Sequence, residues 1–557
     1  MRLATKPGSA AVSVEEAPPS SGLGNPHTGW ELTGVWRAGA VAGVVAVVVA
    51  GIVLRFTTHS ALWLDEALSV DIAKRPLSQL HALLRQDGAP PLYYVALHLW
   101  MRAFGTSNLA VRSLSGVMAV LTLPVVWAIG RNYGTRIATA LLVLAASAPF
   151  AIYYGTEARM YALVMLLSAL GYLALLRSVA RPSVASLVGL AVTTAALLYT
   201  QYWAIYLVAT LAVWLLFVGR KSQRDPLRKR GSRASFAALV LGCLAFVPWL
   251  PTFLFQARHT GTPWAAPGNF GAIVSAITGF TDNQATLSTA GSNQGRVLAI
   301  LYLLLAFLAV FGVATNRWHI DLDLKTRPRT RSVAFVVFGT LVVAVGGGLL
   351  TKSGYSNRYA SIIFIPFLAL VALGLLTLHE PKLRATVLLV AALAGLAVGV
   401  ENINTQRTQA PSVAAVLRAH AAPGDIVAFC PDQLGPSVWR LTSGNGYHEI
   451  TYPRSASPAV IDWIAYKGAI EASSPSAFVG ELRALAGTRS IWLVWTPGYQ
   501  GYGTRCETIA SSLLSSPGYG GHQWLTERPS RYYEPMNLTQ FKKVVSAPSS
   551  AVGSASH

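Results

Sequence analysis

Eleven apolar runs constrain this chain more than any other feature. They span about 37–54, 111–130, 137–153, 160–177, 183–200, 203–219, 235–253, 297–315, 333–350, 360–378 and 384–400. A helix that crosses a bilayer needs roughly 20 mostly apolar residues, with a range of about 17–25. The third and fifth runs are short and lie close to their neighbours. Of the 557 residues, 53% are hydrophobic and only 12% charged, against roughly 25% charged in soluble domains. The sequence therefore predicts a polytopic α-helical membrane protein with about 11 transmembrane helices. Its 15 Trp and 21 Tyr suit interfacial belts.

The loop charges orient this array. With the N-terminus cytoplasmic, one inner loop carries Arg220, Lys221, Arg224, Arg228, Lys229, Arg230 and Arg233. Another carries Arg317, Lys325, Arg327, Arg329 and Arg331. The opposite short loops hold few cations, namely Arg159, Lys352 and Arg358. This is the bias of cytoplasmic loops, and an odd number of crossings places the tail outside the cytoplasm. In a soluble protein a net charge of +21 would suggest nucleic acid. Here topology and contact with anionic membrane lipids account for it, and no nucleic-acid partner is expected.

Residues 1–35 are rich in Pro, Ser, Gly and Thr and read as a disordered cytoplasmic segment. They lack a signal-peptide cleavage site, so the first run reads as a retained signal anchor. Residues 36–400 form the transmembrane domain. Its first external loop, 55–110, carries Leu77, Leu80, Leu83 and Leu84, then Leu92, Val95, Leu99 and Trp100, at helical spacing. Both stripes predict amphipathic helices lying on the membrane surface. A second external segment, 255–296, is rich in Gly, Thr, Asn and Pro. Residues 401–545 change character: 425–430 and 490–495 read as buried strands and 475–485 as a helix, giving an extracytoplasmic α/β domain of ordinary size. Residues 546–557 read as disordered. Cys430 and Cys506 fall in the same domain, and spacing alone leaves open whether they pair.

Polar groups gather at the external boundary. Asp65-Glu66, in Trp63-Leu-Asp-Glu-Ala, are adjacent carboxylates near a bilayer, where charge is costly unless it has a task. They suit a general base; the alternative is a helix cap. Ala89-Pro-Pro-Leu-Tyr93-Tyr94 opens the second surface helix. Glu157, Arg159 and Tyr161 crowd one short turn, and Lys352, Tyr355, Asn357, Arg358 and Tyr359 another. Arginine, lysine and tyrosine at this depth suit a phosphate; the alternatives are a structural Glu157–Arg159 pair and anchoring to ordinary headgroups. His59, His81 and His98 match no standard ligand spacing. The tail holds Asp432, Trp439, Tyr447, Trp463, Trp492, Trp495, Tyr499 and Tyr502. Their rings suit either sugar faces or, for Trp492 and Trp495, core packing.

The ordered motifs WLDEA, PPLYYVALHLW, AVRSLSGVMAVLTLPVVWAIGR, YYGTEARMYALVML and SNRYASIIFIPFLAL, over roughly residues 36–378, resemble the GT-C membrane glycosyltransferases of the protein-mannosyltransferase and lipid A aminoarabinose-transferase type. The resemblance implies a polyprenyl-phosphate sugar donor and transfer on the extracytoplasmic face. By position it makes Asp65 the catalytic base with Glu66 as its neighbour. It sets Arg159, Tyr161, Arg358 and Tyr359 around the donor phosphate. The residues themselves add Glu157, which would orient an acceptor or a positive partner, and Lys352, Tyr93 and Tyr94 as further substrate-binding candidates. Ala89 and Asn108 depart from the family pattern, which often has His and Glu there.

The reaction this implies is one inverting displacement, mannose being the favoured sugar and an arabinose or aminoarabinose the alternative. The acceptor would be a cell-envelope glycan, lipid or protein. No cofactor is expected; Asp65, Glu66 and Glu157 could hold a divalent metal, but arginine makes one unnecessary. The Ala-, Val-, Gly- and Arg-rich composition fits a high-GC bacterium, such as an actinobacterium, and hence a bacterial plasma membrane. A transporter or flippase predicts inverted repeats and mid-membrane charges, neither of which is evident. A non-catalytic scaffold leaves Asp65-Glu66 and Glu157-x-Arg159 unexplained.

Overall fold

The computed structural model describes residues 34–221, 225–261, 269, 271–282, 292–316, 319–323, 328–351 and 354–543. Lys352, nearly all of the N-terminal and C-terminal segments expected to be disordered, and much of the 255–296 segment lie outside them. The chain divides into two compact units, Met1–Val45 and Ala46–His557. Of the described residues, the first unit holds the start of the first apolar helix and the second holds the rest.

Each apolar run is largely helical. After α1 (Gly34–Leu54) come three short helices, α2 (Leu64–Ala73), α3 (Leu77–Asp87) and α4 (Leu92–Phe104). The long apolar series then starts with α5 (Asn108–Arg131), α6 (Thr135–Ser147), α7 (Pro149–Gly155), α8 (Tyr161–Ala180), α9 (Val184–Leu198), α10 (Ala204–Lys221), α11 (Pro226–Leu244) and α12 (Leu250–His259). It continues with α13 (Gly271–Gly279), α14 (Asn293–Phe311), the strand pair β1 (Gly312–Ala314) and β2 (Ile320–Leu322), α15 (Pro328–Thr351), α16 (Ser361–Leu375) and α17 (Pro381–Asn404). Among the described residues seven helices are long and apolar enough to cross a membrane, or eight if α6 and α7 count as one. That pair bends by 53° at Ala148, whose backbone is extended ahead of Pro149; proline disfavours a helical residue before it and cannot continue the hydrogen-bond ladder. Ala38–Leu54, α9 and α10 are apolar but shorter. The expected run 183–200 is cut short because the chain turns at Tyr199 and Thr200.

Helix α16 is the centre of the bundle. It is apolar all round, and a helix of that kind belongs in an interior; nearly all of its residues are buried. Gly374 lets it meet α14 closely, since a Cβ there would stand 1.8 Å from the Leu305 carbonyl oxygen, the small-residue contact expected between membrane helices.

The last third is a sheet region. The elements are α18 (Ala410–His420), β3 (Ile426–Cys430), α19 (Gly435–Thr442), β4 (His448–Thr451), α20 (Tyr466–Ala472), α21 (Pro475–Ala486), β5 (Ile491–Trp495), α22 (Arg505–Leu514), β6 (Tyr519–Leu525) and β7 (Asn537–Lys543). The strands form one mixed sheet in the order β4-β3-β5-β7-β6. β3 runs parallel to β4 and β5, while β7 is antiparallel to β5 and β6. Strand side chains alternate between faces. Val427, Phe429, Trp492, Val494 and Leu538 pack with Val413 and Leu417 of α18 and Val438 of α19. Ile426, Ala428, Ile491, Leu493 and Phe541 face the other way, onto α20, α21 and α22. Cys430 and Cys506 form a disulfide.

This second core also takes in Trp63, Leu64, Leu68 and Ile72 of the α2 segment and Leu80 and Leu84 of α3. Leu80 and Leu84 of the expected α3 stripe are thus covered by the sheet region, whereas Leu77 is exposed. Each fully buried leucine contributes about 1.5–3 kcal/mol. In α4 the buried face is Tyr93, Tyr94, Leu97 and Met101, and Leu99 is exposed. Its apolar stripe is offset from the Leu92–Leu99 one expected, because the two tyrosines turn their rings inward.

Candidate active site

Asp65 and Glu66 stand in the first turn of α2, where acidic residues complement the helix dipole. Trp63, not either acid, is the N-cap. Neighbours in a helix point about 100° apart, so the two carboxylates face different surroundings.

Glu66 turns inward and is fully buried. Arg112 of α5 donates to both its oxygens, Nε to Oε1 at 2.7 Å and Nη2 to Oε2 at 2.6 Å. The Ala158 amide donates to Oε1 at 2.9 Å, and Arg407 Nη1 stands 3.6 Å from Oε2. The remaining Arg112 donors reach the carbonyls of Ser60 and Ala61. This two-armed pairing keeps the Glu66 carboxylate ionised in spite of burial, its acidity strengthened by Arg112 first and Arg407 next. Arg407 also donates to Thr156 and covers the Tyr153 ring, its guanidinium carbon 4.2 Å from the centroid.

Asp65 faces outward and keeps 15% of its side-chain surface. Arg358 Nη1 donates to its Oδ2 at 2.5 Å, and Arg159 Nη2 lies 3.7 Å from the same oxygen. These arginines arrive from separate places. Arg159 stands just ahead of α8, and Arg358 lies in the short 3-10 turn Asn357–Ala360 that feeds α16. Each therefore sits at the positive end of a buried helix, where the backbone also favours an anion. Arg159 Nη1 donates to the Ser69 hydroxyl at 2.9 Å and, at 3.4 Å, to the Tyr94 hydroxyl, which itself donates to Asp87. Arg358 stands 5.9 Å from the ring centres of both Trp63 and Tyr359, within cation–π range.

Glu157 does not pair with Arg159. Its Oε1 accepts from the Trp63 indole at 2.9 Å, and Oε2 has no hydrogen-bond partner among the described residues. Burial pushes its carboxyl up to about 7, although Arg407 acts the other way. The Tyr161 hydroxyl and Arg159 Nε are likewise buried without a hydrogen-bond partner, in reach of one another's field and that of Arg358. Tyr93 points to Ser115, 3.5 Å away, which bonds the Arg159 carbonyl. Among the described residues no group of three or more His, Cys, Asp or Glu is arranged to hold a metal ion.

The structure thus brings Asp65, Glu157, Arg159, Tyr161, Arg358, Tyr359 and Tyr94 together around one spot. It turns Glu66 and Tyr93 away from it, and Lys352 is not among the described residues. Sequence reasoning missed Arg112, Arg407, Ser69 and Asp87 as partners. Arg112 lies in the AVRSLSG stretch, three residues before Ser115 on the face of α5 that meets α2. Arg407, in a stretch otherwise read as the entry to the tail, carried no local signal.

The sequence matches the profile of the dolichyl-phosphate-mannose-protein mannosyltransferase family, PMT_2, over residues 88–251. That stretch contains the Glu157–Tyr161 turn and starts after Asp65. No curated protein matches the sequence significantly. Among solved structures, ArnT from Cupriavidus metallidurans bound to undecaprenyl phosphate superposes with a TM-score of 0.55 at 13% identity, covering 90% of this chain and 98% of that one. The apo form of the same protein gives 0.53 at 14% identity with the same coverage. A multi-pass helical bundle, a C-terminal sheet region and this end-to-end superposition give the chain the GT-C fold seen in ArnT.

Proposed function

We propose that the protein transfers a sugar from a polyprenyl-phosphate donor to a cell-envelope acceptor, a glycan, lipid or protein, on the extracytoplasmic face of a bacterial plasma membrane. Mannose is the favoured sugar, with an arabinose or aminoarabinose as the alternative. The observation that carries this reading is one partly exposed carboxylate, Asp65, held between two guanidiniums at the positive ends of two helices. Four guanidiniums, of Arg112, Arg159, Arg358 and Arg407, face the carboxyls of Asp65, Glu66, Asp87 and Glu157, of which burial pushes Asp87 and Glu157 toward the neutral form. A site with surplus positive charge and unpartnered donors suits a phosphate. The undecaprenyl phosphate bound by ArnT supports the same class of donor here.

The chemistry follows from these positions. Arg159 and Arg358 bind the phosphate oxygens, which loosens their hold on Asp65. The freed carboxylate takes the proton of an acceptor hydroxyl as that oxygen bonds to the anomeric carbon. The bond from that carbon to the phosphate oxygen breaks, and polyprenyl phosphate leaves with its new charge facing the two guanidiniums. Stabilising charge where it develops is worth most in a site shielded from water. One displacement inverts the centre. Glu66 takes no proton in this scheme; it locks α2 to α5, so that Asp65 faces the donor.

The test is Asp65→Asn in purified full-length protein. The variant should bind undecaprenyl phosphate and fail to transfer sugar from polyprenyl-phosphate mannose or arabinose. Transfer at the wild-type rate would remove Asp65 as the base.

A further inference from the structure

We propose that the C-terminal sheet region supplies the acceptor half of the site, where Tyr499 and Tyr533 form a wall beside Asp65 that binds a neutral saccharide; this rests on the glycosyl-transfer reading above.

The sheet's own topology points there. In open α/β sheets, ligands bind beyond the carboxyl ends of parallel strands, where the strand order reverses. In the order β4-β3-β5 the chain leaves β3 to one side through α19 and returns to the other through α21. The two helices cover opposite faces, so the reversal falls at the carboxyl end of β3. Asp432 follows that end directly, Tyr452 follows β4, and Tyr499 follows β5. Residues of the α2 segment pack against this part of the sheet region. Tyr452 and Tyr502 share a core with Trp63, Leu64 and Leu68. Tyr499 packs against this core beside Tyr502, where Tyr533, Glu534, Asp432 and Asp65 all bear on its phenol. Tyr533 sets its ring edge-on to Trp63 at 5.0 Å, and feels Arg358 and Asp65.

Charge is divided across the site. The four buried arginines bear on Asp65, Glu66 and Glu157, which is the donor side. The opposite wall offers phenols and carboxyls. Tyr466 and Tyr502 both donate to Asp432, and Tyr502 backs Tyr499 at 6.0 Å between ring centres. Glu534 follows Tyr533, is buried, and accepts from Ser437. Of the cations nearest in sequence, Arg454 pairs with Asp462 at 2.5 Å while also bearing on Asp432, and Arg531 is exposed over the Tyr532 ring. Asp432 and Glu534 are buried carboxyls in an apolar setting that disfavours further negative charge, so a phosphorylated or carboxylated acceptor gains least there. A neutral sugar ring fits instead, its C–H face on the half-buried rings of Tyr499 and Tyr533 and its hydroxyls toward the phenols.

The experiment is saturation-transfer NMR on full-length protein in detergent with mannotetraose and arabinotetraose, and mannose 6-phosphate as the anionic probe. Undecaprenyl phosphate binding is measured in parallel. The wild type should transfer saturation to a neutral oligosaccharide more strongly than to the phosphorylated sugar. Tyr499→Ala and Tyr533→Ala should each weaken that binding roughly three- to tenfold, the scale of one aromatic contact, with undecaprenyl phosphate affinity unchanged. Because Tyr533 also packs on Trp63, Tyr499→Ala decides the matter if Tyr533→Ala misfolds. No saccharide signal in the wild type, preference for the phosphorylated sugar, or equal loss of undecaprenyl phosphate binding would overturn the proposal. Wild-type protein that binds saccharide but not undecaprenyl phosphate would overturn the donor assignment and leave the wall standing.

Discussion

Glu66→Gln separates structure from chemistry at this site. The substitution keeps the shape of the side chain and removes its charge. It leaves one amide oxygen where two carboxylate oxygens accepted three close hydrogen bonds, two from Arg112 and one from the Ala158 amide. The new NH2 faces a guanidinium, donor against donor, and Arg112 and Arg407 remain buried with 5% and 1% of their side-chain surface exposed. Charge-assisted bonds are worth about 1.5–3 kcal/mol each, and breaking a buried ion pair on one side costs about 3–5 kcal/mol. A loss of about 3–5 kcal/mol is therefore expected. Unfolding in mild detergent, driven by heat or by titrated SDS, measures it. A double-mutant cycle with Arg112→Met should give a coupling of about 2–3 kcal/mol, at the upper end of that between contacting residues. A loss below about 1 kcal/mol, the scale of an exposed pair, would refute the view that Glu66 is a structural lock. So would a stable variant with no transferase activity.

Arg358→Gln should weaken undecaprenyl phosphate binding roughly ten- to a hundredfold, as one charge-assisted bond is lost, with partial rescue by Arg358→Lys; unchanged affinity in calorimetry would move the phosphate elsewhere. Glu157 has an ordinary value of 4.5 and is raised to about 7 by burial, so between those pH values the folded state binds the extra proton and stability falls as pH rises. Glu157→Gln should gain on the wild type over that window, by up to about 3 kcal/mol above pH 7; a stability difference that is flat with pH would show that the carboxyl is not raised. The Cys430–Cys506 bond closes a loop of 76 residues, for which chain entropy gives about 4 kcal/mol. Cys430→Ala/Cys506→Ala should therefore lower the unfolding temperature of the sheet region, and an unchanged melting profile would place the stabilisation elsewhere.

The helical array was legible because lipid imposes one rule on every segment: about 20 apolar residues, all backbone groups bonded internally. β3 and β5 were legible too, as short apolar runs such as Ile426–Cys430 and Ile491–Trp495. β7, with the polar sequence Asn-Leu-Thr-Gln-Phe-Lys-Lys, was not. Its burial comes from the strands on either side, which periodicity does not report. The same holds at the site. Asp65 and Arg159 stand out as charges at a lipid boundary, whereas the partners that fix Glu66 depend on how α5 and the 405–409 segment are brought beside α2. The stripe of α3 misled because an apolar face reads the same whether lipid or a sheet covers it.

The contacts around Asp65 also impose an order in time. Asp65 is synthesised early, but its closest partner, Arg358, comes 293 residues later. Arg407, whose amide bonds the Ser60 hydroxyl, follows at a separation of 347, and Tyr533 later still. A chain whose membrane helices are all in place still lacks the contacts that residues 407–541 make with the α2 segment. Contacts so distant in sequence form slowly, so α2 waits for the sheet region to dock against it. On the proposed reading, a chain that ended before its last strands would carry Arg159 and Arg358 without Tyr533 beside them.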